Sequence, residues 1–158
     1  MAINDVQHGI SIDPDHIDVP VESLLTLIVH TTKKMGAAVA DTVGQKGLTL
    51  DEWMVLDAIH RHDGVAMTQV SAASGCQGAT LTRAVDKLVN NALVYREASP
   101  LDRRKVIVFI SELGRMKHAE VAAKLAGLEG SAAQVLEGVG LSLQEFAVLM
   151  RGLAGAEG

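Results

Sequence analysis

The stretch that decides the fold is TQVSAASGCQGATLTRAVDKLVN (68–90) followed by NALVYREASPLDRRKVIVFI (91–110). Leu81, Val85, Leu88 and Val89 recur at three- and four-residue steps, which predicts a helix from about Gly78 to Asn91. Before it, Thr68 is a plausible N-cap for a short helix from Gln69 to Ser74, and Gly75 suits a left-handed C-cap. Two helices joined by a tight glycine-containing turn are the sequence form of a helix-turn-helix. Leu93 to Glu97 and Lys105 to Ile110 are β-prone runs around a charged turn, Ala98 to Arg104, and read as a hairpin.

Working outward, Thr49-Leu50-Asp51-Glu52 has the pattern of a capping box, with Leu48 and Trp53 placed as a hydrophobic staple. A helix through Trp53, Leu56 and Ile59 comes next and ends at His62-Asp63-Gly64. Upstream, Leu24, Leu25, Leu27, Ile28, Met35 and Val39 predict a helix that Pro20 can open and that Gly44 and Gly47 break. Downstream, Ser111 caps a helix through Met116, Val121, Leu125 and Leu128. Gly127, Gly130, Gly138 and Gly140 punctuate the stretch after it, and Ser142 to Glu145 is a second capping box opening a last helix.

The expectation is a mainly α chain with a small β-hairpin wing (α+β): a winged helix-turn-helix with helical dimerisation elements from both termini. Its divisions are a flexible acidic arm (1–17), an N-terminal dimerisation helix (18–47), a winged helix-turn-helix (48–110) and C-terminal dimerisation helices (111–158).

Composition excludes several classes. The 158 residues are 48% hydrophobic, too apolar for an acidic disordered tail, and the single Cys76 excludes a disulfide framework. No apolar run approaches the roughly 18 residues of a membrane span. The N-terminus lacks a signal-peptide pattern, so a cytoplasmic location is expected. There is no Gly-rich phosphate loop, no HExxH and no Gly-x-Ser-x-Gly, and no enzyme activity or cofactor is expected.

Charge is unevenly placed. The chain carries −5, yet from Gln77 to Lys105 six bases (Arg83, Lys87, Arg96, Arg103, Arg104, Lys105) stand against Asp86, Glu97 and Asp102. That segment is +3 and the rest −8. A positive patch on an acidic body is the footprint of a phosphate partner. A helix fits the DNA major groove, and its N-terminal end here offers Gln77, Gly78, Ala79, Thr80, Thr82 and Arg83. Gln77 can pair with adenine, and Arg83 with guanine or a phosphate. The charged turn can lay a guanidinium into the minor groove. With Thr68, Gln69, Lys87, Asp102, Arg103, Arg104 and Lys105, these make up the candidate DNA surface.

Four motifs carry a family resemblance over about Leu48 to Gly114: Leu48-Thr49-x-x-x-Trp53-x-Val55-Leu56, Thr82-Arg83-x-Val85-Asp86-x-Leu88, Leu93-Val94-x-Arg96, and Asp102-Arg103-Arg104 with Val106 and then Ser111-x-x-Gly114. In these the chain resembles the MarR (multiple-antibiotic-resistance) transcriptional regulators. The resemblance implies a dimer with winged lobes that represses nearby genes and leaves DNA on binding small, often aromatic or phenolic, ligands. It also implies that Arg104, two places after the wing aspartate Asp102, enters the minor groove. The chain departs in having Asn91-Ala92-Leu93 where a glycine commonly precedes the leucine, and Ser111 for a threonine.

The implied partners are a palindromic double-stranded operator, a second copy of the chain and a small-molecule effector, with no membrane. His30, Trp53, Asp57, His60, Met116 and His118 are candidate ligand residues, since they bring polar or aromatic groups to helices between the dimer and DNA modules. No metal site is expected: His60 and His62 are two apart and share no helix face. Two alternatives stand beside this reading. One is a redox-responsive regulator acting through Cys76, although its place in the turn favours a buried structural thiol. The other is a winged-helix protein-interaction module without DNA binding.

Overall fold

The computed structural model describes residues 23–62, 64–100, 102 and 104–155. The acidic arm at 1–17, Pro20 and Arg103 lie outside the described residues. The order is α1 (Leu24–Gly44), α2 (Leu50–His60), β1 (Val65–Ala66), α3 (Met67–Ser74), α4 (Gly78–Asn90), β2 (Val94–Ala98), β3 (Val106–Ile110), α5 (Glu112–Gly138) and α6 (Leu143–Gly155). This is the mainly helical, winged architecture expected.

Each start has a local cause. Glu52 N donates to Thr49 Oγ1 at 3.2 Å and Thr49 N to Glu52 Oε2 at 3.0 Å, which closes the capping box on α2. Ser142 and Glu145 close the second box on α6, and hydrogen bonds from Ser142 hold the Glu145 carboxyl below its ordinary range. Gly75 stops α3 at φ 72°, a left-handed value that a side chain would strain. At α5, Gly114 N donates to Ser111 Oγ at 2.9 Å. The Ser111 hydroxyl also lies 2.7 Å from the Ala92 carbonyl and 3.0 Å from that of Leu93. This position uses only the hydroxyl, which serine supplies.

Three expectations are corrected. The sheet has three strands, ordered β1-β3-β2, because Val65 and Ala66 pair antiparallel with Val108 and Ile107. Residue patterning marks only the hairpin; two residues are too short for any alternation to register. That extra pairing also moves the start of α3. The chain turns helical directly after Ala66, and Gln69 Oε1 accepts from Ala66 N at 3.1 Å. Thr68 is therefore in the first turn, not at the cap. Finally, α5 runs unbroken through Gly127 and Gly130. An interior glycine costs only about 1 kcal/mol relative to alanine, and the surrounding Ala, Leu and Lys residues outweigh it.

Two compact units are distinguished. One is Val29–Ala126; the other, among the described residues, joins 23–28 with 127–155. Among the described residues, all the buried apolar ones belong to the first. Leu56, Ile59, Leu88, Val85 and Val108 are fully inaccessible, and Trp53, Leu81, Leu93 and Val121 pack with them. In the second unit α6 has no buried residue, and Leu143, Val148, Leu149 and Leu153 are exposed. No helix among the described residues is long and apolar enough to cross a membrane.

Candidate nucleic-acid interface and ring cluster

The polar surface of α4 comes from its one-sided burial. Leu81, Ala84, Val85 and Leu88 fix the inner face, so Ala79, Thr80, Thr82, Arg83 and Lys87 stand outward, with Gln77 as N-cap. Thr82 Oγ1 donates back to the Gly78 carbonyl at 3.2 Å. Thr68 and Gln69 are also exposed, one helix earlier. Among the described residues no ion pair involves Arg83. Asp86, which helical spacing offers it, binds Arg96 Nη2 at 2.7 Å. This pair ties α4 to β2 and takes Arg96 out of the free positive charge. Spacing along the chain does not reveal it, because its two halves lie on different elements.

The wing is built on five residue pairs, from Val94–Ile110 to Ala98–Val106, with Tyr95 and Phe109 stacked at 5.4 Å. Its turn is closed by Ser99 N donating to the Lys105 carbonyl at 2.8 Å and Lys105 N to that of Asp102 at 2.9 Å. Asp102 Oδ1 accepts from Arg104 N at 3.0 Å. The Arg104 Nε lies 3.8 Å from the same oxygen, and its side chain is 96% exposed. Asp102 thus fixes the backbone of Arg104 more firmly than its guanidinium, which projects into solvent. Lys105 is exposed beside it.

The structure divides the six candidate ligand residues. Trp53, His118 and His60 form a ladder of rings, with centroids 4.9 Å apart for Trp53–His118 and 3.7 Å for His60–His118. His118 Nε2 lies 3.0 Å from Asp57 Oδ1, and Asp57 also pairs with Arg61. His60 Nδ1 is buried with no partner. Burial lowers the His60 pKa, and the neighbouring His118 lowers it further. His30 is exposed on α1 and is not among these contacts. Met116 instead lines a separate groove with Lys46, Leu93 and Lys117. No sequence signal places Lys46 there. The i,i+3 spacing of Lys117 and Glu120 is the one readable sign of that cluster.

Cys76 is buried, its Sγ 3.7 Å from Asp51 Oδ1, and burial raises its pKa. Burial and a raised pKa both disfavour the exposed thiolate that a redox sensor uses.

Residues 46–105 match the family model described as the MarR family. Among solved structures, BpsR of Bordetella bronchiseptica, studied for regulation of its DNA binding by 6-hydroxynicotinic acid, is 23% identical, with 86% of this chain and 96% of that one covered and a TM-score of 0.71. CouR from Rhodococcus jostii, bound to p-coumaroyl-CoA, is 22% identical, with 84% and 90% covered and a TM-score of 0.70. A mutant MarR from E. coli complexed with operator DNA is 20% identical, with 85% and 94% covered and a TM-score of 0.65. At these identities the likeness is one of fold. No curated protein matches the chain significantly.

Proposed function

We propose, from the match of residues 46–105 to the MarR family model and from the shared fold, a homodimeric, sequence-specific DNA-binding regulator that represses nearby genes until a small aromatic or phenolic ligand releases it. The N-terminal end of α4 enters the major groove. Gln77 and Arg83 reach base edges or phosphates there, while Gly78, Ala79, Thr80 and Thr82 let the backbone come close. Arg104 enters the minor groove, and Arg103 belongs to the same candidate DNA surface. Thr68, Gln69, Lys87 and Lys105 contact phosphates that set the register. Two copies put their α4 helices about 34 Å apart, one turn of a palindromic operator. The exposed apolar residues of α1, of α6 and of the later turns of α5, Leu128 and Val135 among them, supply the contact between copies. The ring cluster of Trp53, Asp57, His60 and His118 receives the effector.

The observation that carries the reading is the 96% exposed Arg104 on a turn whose backbone is tied down by Asp102. An exposed cation on a fixed loop is suited to a phosphate-lined groove and has no packing role. The regulation of BpsR DNA binding by 6-hydroxynicotinic acid, the p-coumaroyl-CoA bound to CouR and the operator DNA bound to a mutant E. coli MarR support the same reading. Electrophoretic shifts with the chain's own upstream region test it. Arg104→Ala is expected to weaken binding and to lower the salt slope by about one unit. Equal binding by the variant at several salt concentrations removes the wing from the mechanism. No shift even at low salt favours the protein-interaction alternative.

A further inference from the structure

The α1–α2 turn, the α4–β2 turn and the first turns of α5 enclose an open groove of about 630 Å³. Its floor is Leu48, Leu93, Leu113 and Met116. Leu48 and Leu93 are buried, whereas Leu113 and Met116 are 51% and 63% exposed. Single exposed apolar residues are ordinary; two on one concave floor are the form of a ligand site.

The rim is charged. Lys46 Nζ donates to Glu120 Oε1 at 2.7 Å, and Lys117 Nζ to Glu120 Oε2 at 3.1 Å. One carboxylate serves two ammoniums, so the trio is left with one positive charge. The lysine side chains are the shielded partners, at 24% and 26% exposure, while Glu120 is 45% exposed. An incoming carboxylate can therefore take the place of Glu120 on both cations as Glu120 turns to water.

We propose that this groove binds a small amphipathic monocarboxylate, with its carboxylate between Lys46 and Lys117 and its apolar body on Leu48, Leu93, Leu113 and Met116. A neutral ligand leaves the excess charge unmatched, and a wholly polar one leaves the floor uncovered. The site is separate from the ring cluster. Leu93 belongs to the turn from α4 into the wing, and its carbonyl accepts from Ser111 N at 3.0 Å at the start of α5. A ligand on Leu93 thus bears on the joint between the two DNA-reaching elements. For that consequence, though not for binding itself, the inference rests on the proposed function.

Calorimetric titration of the full chain with decanoate, against neutral decanamide, tests it. Decanoate is expected to bind saturably and decanamide about tenfold more weakly or worse. Lys46→Gln and Lys117→Gln should each weaken decanoate about tenfold, the loss of one charge-assisted hydrogen bond. Glu120→Gln should tighten it, because the competing carboxylate is gone. Absence of binding, equal binding of decanamide, or weaker binding by Glu120→Gln overturns the proposal. So does light scattering in which Leu113→Asp splits a dimer, since the groove would then be covered by a second copy. Gel shifts separate the two readings. A chain that binds decanoate but no DNA keeps the site and loses the regulator, and one that binds DNA but not decanoate does the reverse.

Discussion

Gly114→Ala should unfold the joint between α5 and the wing. A methyl at Gly114 would drive well inside contact distance of the Leu93 carbonyl oxygen and lie 2.7 Å from Ile110 Cγ1 and 3.0 Å from Leu93 C. Neither neighbour yields easily. Ile110 is buried in β3, and the Leu93 carbonyl is held by Ser111 N and lies 3.0 Å from Ser111 Oγ. Overpacking of this kind costs about 1–3 kcal/mol. Losing or stretching the two bonds to Leu93 adds about 0.5–1.5 kcal/mol each. The helix propensity of alanine returns at most about 1 kcal/mol. The net loss is then about 3 kcal/mol, or a fall of roughly 6–12 °C in Tm for a chain of this size. The assay is thermal unfolding by circular dichroism, with Gly127→Ala as control. A methyl at that position would meet only open space, so the control should gain up to about 1 kcal/mol. A Gly114→Ala chain as stable as its parent would refute the close-packing argument.

Ala92 holds φ at 57°, a left-handed value that favours glycine. Ala92→Gly should therefore raise stability by about 0.5–1 kcal/mol, read from denaturant midpoints; a loss would mean the side chain packs usefully. His60 has a pKa below its ordinary value, so the unfolded chain binds the proton more readily. Its contribution is fully present above pH about 6.5 and is lost progressively as pH falls below that value toward the lowered pKa of the folded chain, so His60→Asn should flatten the fall in Tm below about pH 6.5. Cys76 should react with thiol reagents at about pH 8 far more slowly in the native chain than in denaturant; equal rates would revive the redox reading.

The features legible in sequence are those that close within a few residues. Thr49 and Glu52, Ser142 and Glu145, and Gly75 each form their structure with neighbours along the chain, so their identities suffice. The one-sided spacing of Leu81, Val85 and Leu88 likewise carries the orientation of α4 and with it the outward row from Gln77 to Lys87. Illegible features join distant positions. Val65 and Ala66 become a strand only because Val108 and Ile107 are there to pair with. Asp86 neutralises Arg96 across two elements, and His118 meets Asp57 and His60 from the far side of the wing in sequence. The misplaced cap at Thr68 has the same origin, since a tertiary pairing moved the helix start past a good local signal.

The small sheet has a bearing on assembly. One of its borders is the two-residue β1, too brief to template a neighbour, and the other is β2, whose outward residues include Arg96 and Glu97. Charged or very short margins discourage strand addition by another chain. A pair of these molecules joined edge to edge would have to desolvate that ionic fringe for little backbone bonding in return. The edges of the sheet are thus poor sites for joining two copies.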